Sequence, residues 1–513
     1  MRVLKFGGTS VGSPQRIKEV ISILKKESKN ENIVAVFSAF SGITNDLEKM
    51  AQLAAKGDEK YKTLLSSIKL RHEDAIKDLV EKAKQKEAFN DLDNLFQKIS
   101  NVLYGVFLLG ELTPRVMDMV FSAGERLSNY IIWKALQSSG VNSAIIDSRK
   151  IIKTDSNFAN AKVDYKSTNK EIKKHFKDNQ NAQVVVVSGF IASNAQNEIT
   201  TLGRGGSDFT ASILAAALKA SLLEIWTDVD GILTADPRRV KDAFPLDEVT
   251  YEEVMELSYF GAKVVYPPTI QPVYNKIPIH IRNTGNPDAK GTIIRKKTSE
   301  KSSGTIKGIT SINNITLLTL KGSGMIGVKG VAGRFFNVLA QNDVSVIMIS
   351  QASSEHTISV AIVENEAQRA YDATVAEFEA EMELERMNKP EVKTGLAICA
   401  VVGENMRNQP NVSGKLFGAL GKNGINIVAI AQGTSELNIS CVIDRKDETK
   451  ALNVVHQEFF LSEYRDLNVF CVGVGTVGNT FIEQIKVQKQ ELMDRFKINI
   501  NLCGISNSKK MVF

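Results

Sequence analysis

Over the first 295 residues, short and almost wholly apolar runs alternate with long amphipathic stretches. RVLKF, IVAVFSA, SAIID, VVVVSGFIA, LLEIWTDV and IPIHIRN read as strands buried on both faces, and the segments between them carry helical periodicity. Continuous apolar strands separated by helices predict an α/β domain, with a mostly parallel sheet between layers of helix. Residues 46–110 are charged, poor in turn residues and helical in pattern, and read as an elaboration on that sheet. The loop NTGNPDAKGT, running into RKKTSEKSSGT, marks a boundary near 286–305, so the first domain is placed at 1–295.

The next region, 306–465, contains a repeat. FNVLAQNDVSVIMISQASSEHTISV, from Phe336, aligns without gaps on FGALGKNGINIVAIAQGTSELNISC, from Phe417. Each copy reads helix, turn, strand, polar turn, strand. Two such α+β units in tandem are expected to pack together, because neither buries its apolar face alone. Gln351 and Gln432 fall at equivalent places, just after the apolar strands. A glutamine there could bind an amino acid through both its donor and acceptor, or could cap its own turn. From 467 to 513 the pattern is strand, turn, helix and a second strand, INLCGIS. The turn VGVGTVG carries Gly473, Gly475, Thr476, Val477 and Gly478 in the G-x-G-x-x-G spacing of a dinucleotide turn.

Composition changes this picture little. Of 513 residues, 43% are hydrophobic and 24% charged, as in ordinary globular chains, and the net charge is only +6. The basic runs are short and mixed with acids, so no nucleic-acid partner is expected. No apolar run reaches the ~20 residues of a membrane span. The N-terminus enters a strand at once, which fits a cytoplasmic protein without a signal peptide. Cys399, Cys441, Cys471 and Cys503 sit singly in apolar segments and are expected to pack as small hydrophobes. The five histidines show no ligand-type pairing, and no metal site made of protein side chains is expected.

The chemistry concentrates in the glycine-rich turns of the first region. In KFGGTS, Lys5 ends a strand and precedes Gly7, Gly8 and Ser10, so that backbone N–H groups and a lysine can face an anion. TLGRGGSDFTASILAAALKA sets Arg204 among glycines and places Gly205, Gly206, Ser207 and Asp208 at a helix start, where phosphates and carboxylates bind readily. EIWTDVDGILTADPRRV puts Thr227, Asp228, Asp230 and Asp236 at or beyond the carboxyl end of a strand. FSAGERLS offers Glu125 and Arg126 at a glycine-led helix start, and FGAKVVYPPT offers Lys263. No Ser-His-Asp set and no activated cysteine is visible. Cations, glycine turns and a few acids suit phosphoryl transfer, where positioning and charge neutralisation carry most of the catalysis.

KFGGTSV, SAFSGITN, SAGERLS, LGRGGSDFTA, IWTDVDGILTADPR and ELSYFGAKVVYPPTI, in this order, resemble the aspartate kinases of the amino-acid kinase fold. The repeat resembles their paired ACT regulatory modules, and VGVGTVG resembles the start of a homoserine dehydrogenase. The whole order is similar to the bifunctional aspartokinase/homoserine dehydrogenases.

That resemblance implies transfer of the γ-phosphoryl group of ATP, with Mg2+, to the side-chain carboxylate of L-aspartate. It implies that Lys5, Gly7 and Gly8 hold the transferring group and that Asp208 orients the lysine or the metal. Arg204 would hold a substrate carboxylate, Glu125 the ammonium, and Thr44 a further contact, with Gly205, Gly206 and Ser207 beside them. Ser10, Thr227, Asp228, Leu233, Arg238, Lys263 and Val264 would line the ATP side, Leu233 standing where many relatives carry an aromatic. It also implies feedback by an amino acid at Gln351 and Gln432, with threonine the expected effector, and a homodimer or larger assembly through the ACT modules. The segment 467–513 would open a homoserine dehydrogenase NAD(P)-binding domain. Asn507, Ser508, Lys509 and Lys510 after its second strand suit NADPH, but dehydrogenase activity is not expected from so few strands. The competing readings are another amino-acid kinase, acting on glutamate or acetylglutamate, and a catalytically silent amino-acid-binding regulator.

Overall fold

The computed structural model describes residues 1–261, 265–299, 304–351, 356–461, 465–496 and 498–512. The chain begins β1 (Arg2–Phe6), α1 (Pro14–Glu27), β2 (Ile33–Phe37), and then the helices α2 (Ile43–Ala55), α3 (Lys60–Leu79), α4 (Lys82–Leu109) and α5 (Pro114–Ser138). β3 (Ser143–Ile146), α6 (Ser148–Ile151), β4 (Lys153–Thr154), α7 (Tyr165–Asp178) and β5 (Val184–Ser188) follow. A small hairpin, β6 (Ile191–Asn194) and β7 (Ile199–Thr201), leads into α8 (Gly206–Leu218) and β8 (Leu223–Thr227). β9 (Glu248–Thr250), α9 (Tyr251–Tyr259), α10 (Pro267–Ile270), β10 (Ile279–Asn283) and β11 (Thr292–Arg295) complete the first region.

Its main sheet runs β3-β5-β2-β1-β8-β10-β11-β9, parallel except for the β10–β11 pair. The expected α/β fold is therefore observed. β2 and β5 are buried at every position, which requires cover on both faces. Strand alternation divides the central strand β1. Leu4 and Phe6 pack into the core beneath α1–α5, whereas Val3 packs into the core on the α8 side, and Lys5 shares its face. One expected strand is broken: VVVVSGFIA ends as β5 at Ser188, then turns at Gly189 and at Phe190, whose φ is 67°, before β6.

The second region is β12 (Gly308–Lys321), α11 (Val331–Gln341), β13 (Met348–Gln351), β14 (Thr357–Val363), α12 (Ala367–Glu377), α13 (Glu379–Glu383), β15 (Glu391–Val402), α14 (Val412–Lys422), β16 (Ile427–Gln432), β17 (Asn438–Asp444) and α15 (Glu448–Phe460). Its six strands form one antiparallel sheet, β13-β14-β12-β15-β17-β16. The two units pack together, as the repeat predicts, and their long strands interleave. β12 and β15 are both long. Gly308–Ile312 pairs with the end of β15 next to β17, and Ile315–Thr319 pairs with its start next to β14. A register shift between Ile312 and Ile315, with Asn314 at φ 56°, separates the halves. Each module is thus closed by half of the other's long strand. The sheet also curls: Ser350 Oγ on one edge strand donates to the Ile430 carbonyl on the other at 3.4 Å.

The last region is β18 (Arg465–Val472), α16 (Thr476–Phe496), β19 (Ile498–Ser506) and β20 (Met511–Val512). β18 and β19 are parallel, as a β-α-β unit requires, and Gly473, at φ 98°, makes the turn ahead of α16. Gly475 precedes that helix, and Thr476, Val477 and Gly478 form its first turn. Phe470, Val472, Val477 and Val487 are exposed. Two of the cysteines pack as expected, within a buried apolar cluster, and two do not. Cys399 and Cys441 are buried but are direct cross-strand partners, and Cys471 and Cys503 are only half-buried.

Candidate active site

The carboxyl ends of β2, β1, β5 and β8 meet the start of α8, and backbone contacts stitch these ends together. The Gly7 N–H donates to the Trp226 carbonyl at 3.3 Å, Ser38 N–H to Phe6 at 3.3 Å, and Gly189 N–H to Phe37 at 2.9 Å. A Cβ at Gly189 would lie 2.6 Å from Ser207 Cβ, so that turn and the α8 start touch directly. Lys5 rises from β1 into this rim. Its Nζ lies 2.7 Å from Asp208 Oδ1 in the first turn of α8, and both side chains are mostly covered. The pair is close without being aligned as a hydrogen bond, because Oδ1 has no correctly angled donor. Gly7 keeps space beside the lysine, since a Cβ there would sit 3.5 Å from Nζ. A Cβ at Gly8 would come 3.2 Å from the Ala39 carbonyl.

Ala39 links this lysine turn to Glu125. Its N–H donates to Glu125 Oε1 at 3.4 Å, while Oε2 is buried and has no partner. Desolvation pushes the Glu125 carboxyl up to about 8, against the weaker pull of backbone N–H groups. FSAGERLS is not a helix start, as the sequence suggested, but the middle of α5, which begins at Pro114 behind a Thr113 cap. The glycine serves packing instead: a Cβ at Gly124 would meet Ala39 Cβ at 2.9 Å and Leu47 of α2 at 3.3 Å. Thr44 lies in the first turn of α2, half-buried, after Gly42 at φ 84°. Arg126 is mostly buried beside Arg149 and Asp147, and desolvation, with Arg149 adding repulsion, lowers it to about 10.

Arg204 is exposed at the tip of the turn before α8. Gly205 caps that helix in the left-handed region (φ 71°), and a Cβ there would strike Tyr266 at 2.9 Å, so glycine is required twice over. Gly206 is equally tight, with Phe190 2.6 Å from a built Cβ. Arg204 also borders a cavity of about 360 Å3 with Asn160, Lys162, Phe209 and Tyr266. Sequence reading missed the support of this turn. Asp118, fully buried in α5, accepts from Ala159 N–H (2.9 Å), Thr201 N–H (3.1 Å) and Thr201 Oγ1 (2.7 Å), tying β7 to the loop that touches Gly203. An isolated aspartate in a helix carries no pattern that would reveal this.

The opposite part of the rim is more open. Thr227 ends β8, and its hydroxyl donates to the exposed Asp228 at 3.1 Å. Asp230 accepts from Asn283 (2.8 Å) and Asn286 (3.3 Å). Leu233 is half-buried and bridges to Pro245. Arg238 is exposed and forked onto Asp236, with Nη2 2.7 Å from Oδ2. Ser10 differs from its expected role as a nucleotide contact. It is buried, and its hydroxyl is shared with Thr284 Oγ1 (2.8 Å) and the Trp226 carbonyl (3.4 Å). Lys263 and Val264 lie outside the described residues. Among the described residues, no group of three acids, histidines or cysteines could hold a metal alone, and no helix is long and apolar enough to cross a membrane. His72 is a core histidine: its ring stacks on Phe40 at 4.8 Å, and burial lowers it to about 4.

Gln351 and Gln432 are the last residues of β13 and β16, both exposed, rather than in the turns beyond. Gln432 Oε1 accepts from Ser413 at 3.5 Å.

A part-buried lysine–aspartate pair beneath glycine turns, at the carboxyl rim of a mostly parallel sheet, is an arrangement of the amino acid kinase class. The model of the amino acid kinase family matches residues 1–283, and that of the ACT domain matches 318–378 and 399–459. The aspartokinase of Schizosaccharomyces pombe is 34% identical over 489 residues, 89% of this chain and 92% of its own. The chain therefore belongs to the aspartokinases of the amino acid kinase family. Bifunctional aspartokinase/homoserine dehydrogenase 1 of Arabidopsis thaliana is 37% identical over 99% of this chain, which spans 56% of that protein's length. Escherichia coli aspartokinase III is similar in structure, both with aspartate and ADP (R-state; TM-score 0.75, 28% identity, 90% of this chain and all of that one) and with lysine and aspartate (T-state; TM-score 0.72, 29% identity, 90% and 99%).

Proposed function

We propose that this chain transfers the γ-phosphoryl group of MgATP to the side-chain carboxylate of L-aspartate, giving 4-phospho-L-aspartate and ADP. The observation that carries this reading is the Lys5–Asp208 pair beside the buried, half-paired Glu125. A carboxylate oxygen attacks the γ-phosphorus as the bond to the β-phosphate oxygen breaks. The attacking group is already ionised, so no general base is needed. What the site must supply is proximity and screening of charge. Lys5 does the screening and the Gly8 amide joins it, while Gly7, whose N–H is held by the Trp226 carbonyl, keeps the space beside the lysine open. Arg204 forks onto the α-carboxylate, while Gly205, Gly206 and Ser207 shape the turn beneath. Glu125 takes the ammonium on its unpartnered oxygen, and Thr44 adds a hydroxyl contact. Thr227, Asp228, Leu233, Arg238, Lys263 and Val264 line the nucleotide side. Mg2+ enters as part of MgATP. The phosphates would supply most of its ligands, with Asp208, beside Lys5, the protein carboxylate that would orient the lysine or the metal.

Amino-acid feedback acts through the ACT pair, and threonine is the effector we propose. Similarity to the bifunctional proteins supports it, although the E. coli relative is captured with lysine. Gln351 and Gln432, equivalent in the two modules, are its proposed contacts. The ACT modules are the proposed site of homo-oligomer assembly, in the cytoplasm, and residues 467–513 are the proposed opening of a homoserine dehydrogenase portion that takes NADPH in a full-length parent.

The test is aspartate-dependent ADP release with the acyl phosphate trapped by hydroxylamine. Hydroxamate from aspartate is expected. Its appearance only with glutamate or acetylglutamate, or with no acceptor at all, overturns the reading.

A further inference from the structure

The loop between β8 and β9, residues 228–247, is held unlike any other part of the rim. It has little regular structure of its own. Its middle is embedded in the second ACT module: Ala235 and Val240 share one buried cluster with Ile309 of β12 and with Leu452 and Val455 of α15. Thr234, fully buried, is the knot. Its N–H donates to the Phe244 carbonyl (3.0 Å), and its carbonyl accepts from Ile309 N–H (2.8 Å). Its Oγ1 accepts from Phe244 N–H (3.2 Å) and lies 2.9 Å from His456 Nε2 on α15. The Thr234 hydroxyl and Nε2 thus share one buried hydrogen bond, whose donor is set by the tautomer of His456. Burial lowers the basicity of His456, with Asp242 opposing the shift. The ring is packed between Phe460 (4.8 Å) and Phe244 (6.2 Å). Two further α15 residues grip the same loop: Asn453 Nδ2 donates to the Arg239 carbonyl at 2.9 Å, and Glu448 ion-pairs with Arg239.

We propose that His456 is a positioning residue for the nucleotide, acting through Thr234. α15 of the second regulatory module fixes the loop that carries Leu233, Asp236 and Arg238, and so sets affinity for ATP directly. This rests on the reading of that loop as the nucleotide side. The physical basis is that a buried hydroxyl must be paired. With no hydrogen-bond partner at 456, Thr234 releases its turn, and the residues around it lose their fixed geometry.

The experiment compares His456→Leu and His456→Gln with the parent full chain. Leucine cannot hydrogen-bond the Thr234 hydroxyl, whereas a glutamine amide can, as donor or as acceptor. In His456→Leu, KM for MgATP should rise about tenfold, as expected for one lost buried hydrogen bond, while kcat and KM for aspartate change less than about twofold. His456→Gln should restore most of the ATP affinity. The rise in melting temperature produced by MgATP should shrink in His456→Leu, and the rise produced by aspartate should not. Should His456→Leu fail to fold, the exposed Asn453→Ala tests the hold of α15 on the same loop through its bond to the Arg239 carbonyl, with a rise in KM for MgATP of about threefold. An unchanged KM for MgATP in folded variants overturns the proposal, and so does an equal rise in both Michaelis constants. The melting shift with MgATP needs no turnover. A parent that binds MgATP but makes no hydroxamate would therefore sink the proposed reaction while still testing His456.

Discussion

The two sides of the rim that we propose for aspartate and for the nucleotide are built on different plans. The aspartate side is made within the kinase region from elements close-packed on one another. α5 lies so near α2 and Ala39 that only glycine fits at 124, and Glu125 is sealed with one oxygen unpaired. The nucleotide side is an exposed, irregular loop whose interior is packed by the regulatory region. The first plan stores an unmet need for a cation and so favours one substrate shape. The second leaves affinity adjustable from outside. A regulator that touches only the second can alter how readily the enzyme is used without altering what it acts on.

Lys5, where the two sides meet, should show the largest effect. Lys5→Ala is expected to lower kcat by at least about 10²–10³-fold in the hydroxamate assay while leaving effector binding by calorimetry intact. Surviving turnover would remove Lys5 from its role. Glu125→Gln is expected to raise KM for aspartate roughly ten- to hundredfold with little change for ATP, because a charged hydrogen bond is lost on one side alone. A parallel rise for ATP would break the comparison. The raised carboxyl also fixes a sign. A group protonated in the fold at a pH where it ionises in the unfolded chain contributes stability that is full below its ordinary value and lost as pH rises to about 8. Glu125→Gln should therefore gain stability over the parent at pH 8–9 in thermal melts. Aspartate needs the ionised form, so its KM in the parent should fall as pH rises towards 8, with proton release on binding.

Effects in the regulatory region should be smaller. Gln432→Ala is expected to weaken threonine inhibition about fivefold or more, and full inhibition by threonine would remove that residue from the effector site. The smallest change sharpens the aspartate side: Thr44→Val should raise KM for aspartate only about two- to tenfold, the worth of one neutral hydrogen bond.

The kinase sheet was legible because its strands are short apolar runs and its turns are spelled in glycine. Lys5, Asp208 and the turn carrying Arg204 could be placed together from their positions at strand and helix ends. Other features depended on contacts that leave no local trace. Glu125 was assigned to a helix start because Gly124 looked like punctuation, whereas that glycine admits a neighbouring helix. Ser10 looked like part of an anion turn but turns inward to Thr284. The repeat was plain in the sequence, but the exchange of strand halves was not, since a long strand with a bulge reads the same whichever partner each half takes. His456 stood alone in a helical pattern, more than two hundred residues from the threonine it holds.

The interleaved strands also order events at the ribosome. Gly308–Ile312 leaves the exit tunnel before its strand partner, the end of β15, and Thr234 waits longer still for α15. At ordinary elongation speeds that delay is on the order of ten to forty seconds. The last stretch of the regulatory region to be made is thus the one that completes the packing of a loop in the first region.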